Sequence, residues 1–348
     1  MTASPSPSHP PPRSSLIRVG VTTFQRPVLL ARALACLRNQ THRDWIATVY
    51  NDDPLDPSPA RLVAELGDSR IHCITATSRL GPVRAFNAAY TEGDEPYFAL
   101  LEDDNTWDPD FLTRLHATLA AHPSAAAIGC QQRVMEEADD GSWRETGALV
   151  QAASVPTLSP SVHTLEWGGH ALATGATLSN GALLIRRALA PSLLTPEDLP
   201  FAGVEAVRQR LLPHPLLYLP ETLASFARTR TTARAGDGHR WGALQTLLLA
   251  TFVRHACMSP SALNGLWDQW RRQTPAPTHL ALHAGLSCPG CRHLLAHARI
   301  TDWLRFVRTV LGRPAGAWAC LRARRRHADW WSLLDRATAL RFAEAAHG

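Results

Sequence analysis

The chain has 348 residues, 45% of them apolar, which is enough for one large core or a core with a smaller appended part. All 35 basic residues are arginine, and the seven cysteines are scattered and odd in number, which argues against a disulfide framework and for a reducing compartment. The first residues lack the basic start and apolar stretch of a secretory signal, and the longest apolar runs, such as 244–253, are about half of what a membrane span needs.

In chain order, residues 1–15 are rich in Ser and Pro and are expected to be a disordered tail. A strand is predicted over 16–22, then a helix from Pro27 to about Asn39, with Pro27 suited to its first turn. A second strand, 45–50, ends at Asn51-Asp52-Asp53, and a helix near 58–66 leads to a third strand over 70–74. A helix over 82–90, a fourth strand over 97–101, a helix over 111–121 and a fifth strand over 125–130 complete the regular part. Strands alternating with helices imply parallel βαβ units in a doubly wound α/β sheet. The middle is less regular, with a strand near 181–185, a helix over 204–212 and a short strand over 216–219. Beyond 240 the spacing is helical throughout, as at Trp303, Phe306, Val307, Val310 and Leu311.

Charge divides the chain in the same place. Residues 240–348 hold 15 arginines, 5 acids and seven of the eleven tryptophans, whereas residues 1–239 are net acidic. One expectation for this end is a helical cap with tryptophan in its core. The other is contact with a membrane surface through Arg322–Arg326 and Trp330-Trp331. Nucleic acid is disfavoured as a partner, because the sheet half is acidic and no recognition module is visible.

Open α/β sheets bind ligands beyond the carboxyl ends of their strands. Three such ends are polar: Thr22-Thr23-Phe24-Gln25-Arg26, Asn51-Asp52-Asp53 and Glu102-Asp103-Asp104. Glu102 and Asp104, two apart at a strand end, are expected on one side, where two carboxylates repel unless a cation lies between them. Mg²⁺ favours one or two carboxylates with phosphates completing its shell. Asp-rich turns are also common as plain solvated loops, and Asp108 before Pro109 reads as a helix cap.

The order of these motifs resembles the family 2 glycosyltransferases, with their nucleotide-binding GT-A fold. The resemblance rests on Val21-Thr22-Thr23-Phe24-Gln25-Arg26-Pro27, Leu37-Arg38-Asn39-Gln40-Thr41, Asp52-Asp53, Gly81-Pro82-Val83-Arg84-Ala85-Phe86-Asn87 and Leu101-Glu102-Asp103-Asp104, in family order over 16–115. It implies a GT-A domain over 16–239, with a nucleotide-binding half to 133 and an acceptor half beyond, followed by the helical region 240–348. It implies transfer of a sugar, with inversion, from a UDP- or GDP-type donor to a glycan or lipid-linked acceptor, as in polysaccharide, cell-envelope or glycolipid synthesis. The alternative is a non-catalytic relative that only binds a nucleotide or glycan.

By position, the resemblance sets Thr22, Thr23 and Arg26 along the nucleoside and Asp52 at the base. Arg84 falls near the diphosphate, Glu102 near the ribose or the metal, Asp103 in the nucleotide site, and Asp104 on Mg²⁺ or Mn²⁺. Glu in the first acidic position departs from the family pattern. The catalytic base falls on Glu205, whose usual acidic neighbour is Ala206 here, with Glu166 in reserve. A helix-surface glutamate paired with Arg208 or Gln209 is the plain alternative. Arg228, Arg230 and Arg234 fill the slot of a loop that closes over the diphosphate. Cys288 and Cys291 invite a metal or a redox reading: His293 and His297 would supply the second pair of a zinc site, while the segment lacks the βαβ context of a thioredoxin-like redox pair.

Overall fold

The computed structural model describes residues 15–150, 161–165, 178–213, 215–230, 238–273 and 276–347. All of the expected tail but Ser15, together with Glu166 and Arg234, lies outside the described residues.

The first half is built as its apolar spacing dictates. β1 (Ile17–Thr23), β2 (Trp45–Asn51), β3 (Ile71–Thr75) and β4 (Tyr97–Glu102) are parallel neighbours, with Ile17 opposite both Trp45 and Tyr97. In β1, β2 and β4 the alternating side chains are almost all buried because helices cover both faces, whereas the edge strand β3 buries only Ile71. α1 (Pro27–Arg38) starts on its proline and buries Leu30, Ala33, Leu34 and Leu37 at helical spacing. α2 (Ser58–Leu66) ends on left-handed Gly67. α3 (Pro82–Thr91) lies on the other face, so close to β1 that a methyl group on Gly20 would stand 2.8 Å from the Ala89 methyl.

The second half departs from simple alternation. β5 (Thr106–Trp107), α4 (Phe111–Ala121), β6 (Ala127–Glu137), β7 (Trp143–Leu149), β8 (His163–Leu165), β9 (Leu183–Arg186), α5 (Val204–Leu211) and β10 (Leu216–Arg228) follow in order. The sheet runs β3-β2-β1-β4-β9-β6-β10-β5, with β7 on β6 and β8 on β10. β9 inserts antiparallel between β4 and β6, so the fifth predicted strand does not adjoin the fourth. β10 is far longer than 216–219. It runs through Pro220 by register shifts between Leu219 and Ala224, which is where a sheet tolerates proline. Asp108 is not the cap: α4 starts after Asp110, and the Asp108 carboxylate instead takes two bonds from Arg133, at 2.7 and 2.6 Å.

Six helices close the chain: α6 (Gly238–His255), α7 (Pro260–Arg272), α8 (Thr278–Ser287), α9 (Ile300–Gly312), α10 (Pro314–Arg326) and α11 (Ala328–His347). They share one apolar core with the α3 face of the sheet, which runs from Phe86 and Phe98 through Val204 and Leu244 to Trp267 and Leu334. Trp330 and Trp331 are buried in this core, as the helical-cap expectation had it and not at a surface, and Trp330 Nε1 donates to Asp198 Oδ1 at 2.8 Å. Of the seven tryptophans beyond 240, only Trp318 is exposed. No described helix is long and apolar enough to cross a membrane.

Candidate active site

The register of the parallel strands sets the polar ends side by side. Thr22 stands opposite Glu102 on β4, and Thr23 opposite Asn51 on β2. Beyond β4 the chain turns back at once, with Asn105 N donating to the Glu102 carbonyl, so the three acids project from one tight turn.

The two aspartates and Glu102 take different partners. Asp103 points inward and is fully buried. Its Oδ2 accepts from the Thr23 hydroxyl at 2.8 Å, and its Oδ1 lies 2.5 Å from Arg26 Nη2. Arg26 also bonds Asp104 Oδ2 through Nη1 at 3.0 Å. Burial alone would lower the Arg26 pKa, but the charges of Asp103 and Asp104 raise it. Burial pushes the Asp103 carboxyl up to about 7 against the pull of Arg26. Arg32, on α1, donates to the Asp104 carbonyl at 2.5 Å and stacks its guanidinium 3.5 Å from the Trp143 ring centroid, which draws β7 over the turn.

Glu102 turns the other way, toward α5. Its Oε2 accepts from Asn105 Nδ2 at 2.6 Å. Its pKa is raised well above the usual range, first by burial and then by the nearby charge of Glu205. Glu205 lies in the first turn of α5, and its Oε1 accepts from Asn180 N at 3.0 Å. The Asn180-Gly181 turn therefore sits between the two glutamates. An added methyl at Gly181 would meet Asn105 Nδ2 at 3.2 Å and Glu102 Oε2 at 3.4 Å. Ala206, in the place of the missing acidic neighbour, is packed in the core. Arg208 is buried, donating to Asn87 Oδ1 at 3.0 Å with its guanidinium 4.1 Å from the Tyr90 ring centroid. Gln209 accepts from Leu178 N.

Asp52 ties the second strand end to the third helix. Its two oxygens accept from Leu80 N at 2.6 Å and Gly81 N at 3.0 Å, at the N-terminus of α3. Asp53 accepts from Gln25 Nε2 at 2.6 Å, and Gln25 is held at φ 55°, a left-handed conformation that a glutamine rarely adopts. Arg84 pairs with Glu197 at 3.1 Å, both exposed, rather than with the acidic turn. Arg230 is tied to the β6–β7 hairpin through Asp139 O at 2.6 Å, while Arg228 is exposed directly after Ala227, whose N–H bonds Asn105 Oδ1 at 2.9 Å.

The sequence did not single out Arg32, Asn105 or Asn180. The Asn-Gly pair at 180–181 was a visible turn signal, but nothing local showed where the turn lands. Cys288 and Cys291 are buried thiols, with Cys291 donating to the Ala250 carbonyl, while His293 is exposed and His297 bonds Asn264. Among the described residues no three His, Cys, Asp or Glu side chains are grouped to hold a metal ion. Asp104 meets a lesser demand: one partly open carboxylate, the share that Mg²⁺ or Mn²⁺ takes from protein when a diphosphate supplies the rest.

A mostly parallel sheet with acids at its switch point defines a GT-A glycosyltransferase fold. Residues 18–178, just under half of the chain, match the model for glycosyl transferase family 2. Protein CgeD of Bacillus subtilis is 24% identical over 150 residues, 40% of this chain and 35% of CgeD; the match thus spans about a third of that relative. The crystal structure of S. aureus TarS 1–349 in complex with UDP-GlcNAc superposes with a TM-score of 0.57 at 10% identity, covering 92% of this chain and 91% of that one. GalNAc-T7 with UDP, GalNAc and Mn²⁺ superposes with a TM-score of 0.51 at 10% identity, over 73% of this chain and 54% of that one.

Proposed function

We propose that this protein transfers a sugar from a UDP- or GDP-type donor to a hydroxyl of a glycan or lipid-linked acceptor, inverting the anomeric centre. The supporting observation is convergence: the ends of β1 and β4, the Asn180-Gly181 turn and the first turn of α5 meet around the acids 102–104. The names of the TarS and GalNAc-T7 complexes, with UDP-GlcNAc and with UDP and Mn²⁺, point to the same donor class.

In this reading Thr22, Thr23 and Asp52 border the nucleoside, and Arg84 leaves its exposed partner Glu197 for the diphosphate. Asp104 would hold Mg²⁺ or Mn²⁺, which would neutralise charge on the departing diphosphate. Arg26 pairs with Asp103 as well as with Asp104. Glu205 takes the proton of the attacking hydroxyl, and Asn180 N holds one of its oxygens in place.

A non-catalytic nucleotide-binding relative is the second reading, favoured by Ala206 in the core and by Arg26 already neutralising the turn. Titration calorimetry with UDP and GDP, with and without Mn²⁺, on the wild type and Asp104→Ala separates the two. Binding that tightens with Mn²⁺ and loses that gain in Asp104→Ala supports the enzyme. Equal binding in all four conditions supports the binding module.

A further inference from the structure

α9 presents two apolar faces. Asp302, Trp303, Phe306 and Val310 turn toward the protein. Ile300, Leu304, Val307 and Leu311 are exposed, Ile300 and Leu311 by 73% and 77%. At 3.6 residues per turn these four fall within a sector of about 60°, an unbroken stripe over three turns. Soluble monomers seldom present so ordered an apolar surface to water.

Along α9 and α10 themselves the exposed charge is of one sign. Residues 300–326 hold seven arginines, all exposed, and their single acid, Asp302, is buried against Arg271. α10 adds exposed Trp318, with the Arg322 guanidinium 4.3 Å from its ring centroid. Leu286, Trp318, Leu321, Arg322, Arg324 and Arg325 line a shallow hollow of about 370 Å³.

We infer that α9 and α10 dock this protein on a membrane surface carrying anionic lipid. α9 lies in the interfacial plane, with its stripe at the acyl boundary and the arginines among headgroup phosphates. A second copy of the same face is a poor occupant, because seven arginines would meet seven arginines.

Flotation of the full chain with vesicles tests this. The wild type binds vesicles of phosphatidylcholine mixed with phosphatidylglycerol and does not bind phosphatidylcholine alone. Leu304→Asn/Leu311→Asn keeps every charge and weakens binding at least about tenfold. Val28→Asn, at an exposed site on α1, binds as the wild type does. Circular dichroism confirms that each variant is folded. Three outcomes overturn the inference: no flotation with the mixed vesicles, equal binding by Leu304→Asn/Leu311→Asn, or stripe-dependent self-association in ultracentrifugation without lipid binding.

Discussion

Arg26 and Asp103 are joined twice, Nη2 to Oδ1 at 2.5 Å and Nε to Oδ2 at 3.2 Å, with the carboxylate fully buried. Removing one partner of such a pair leaves an uncompensated charge, which costs more than the pair itself contributes. Arg26→Gln is therefore expected to lose about 3 kcal/mol of stability in urea denaturation. Thr23→Val, which removes one bond to the same carboxylate, loses about 1–2 kcal/mol. Equal losses in the two variants would show that the guanidinium is not the main partner of Asp103.

Gly81 and Gly67 make a matched test of backbone strain. A methyl group has open space at both, so only conformation distinguishes them. Gly67 lies at φ 59°, ψ 20°, where other residues are tolerated, whereas Gly81 lies at φ 82°, ψ 161°, a region that is nearly exclusive to glycine. Gly67→Ala should cost about 1 kcal/mol and Gly81→Ala about 2–3 kcal/mol, because its N–H must also stay on Asp52. Thermal melts rank them, and a Gly81→Ala protein as stable as Gly67→Ala would contradict the strained turn.

Glu102 gives a pH dependence with a definite sign. Its folded pKa is raised above the ordinary 4.5, so the native protein keeps a proton that the unfolded chain releases. Its contribution to stability is greatest below pH 4.5 and is lost as pH rises toward the folded value. Glu102→Gln keeps a side-chain oxygen for Asn105 and removes the titration. The slope of stability against pH should become less negative by up to about 1.4 kcal/mol per pH unit above the ordinary glutamate range. Denaturation midpoints between mildly acidic and neutral pH check this, and parallel curves for the two proteins would refute it.

The local part of this structure was legible. Pro27, Gly67 and the apolar spacing bound α1 and α2, and the polar strand ends fell where the sheet places them, because side-chain period and turn chemistry are written in adjacent residues. Pairing was not. Residues 181–185 read as a strand, which forms as Leu183–Arg186, but its antiparallel insertion between β4 and β6 depends on residues some 50 to 90 positions away. Pro220 disguised one long strand as a short one. At the site the residue types were visible and their partners were not. Nothing local shows that Asp103 belongs to Arg26 while Glu102 faces Glu205, or that Ala206 points into the core.

The role given to Glu205 is the step on which the catalytic reading turns. Glu205→Gln retains an acceptor for Asn180 N and cannot take a proton. With a donor sugar nucleotide and acceptor that the wild type turns over in the presence of Mn²⁺, kcat measured by nucleoside diphosphate release should fall about 10²–10⁴-fold in Glu205→Gln while nucleotide affinity stays within about twofold. A Glu205→Gln protein that turns over at the wild-type rate would contradict the account.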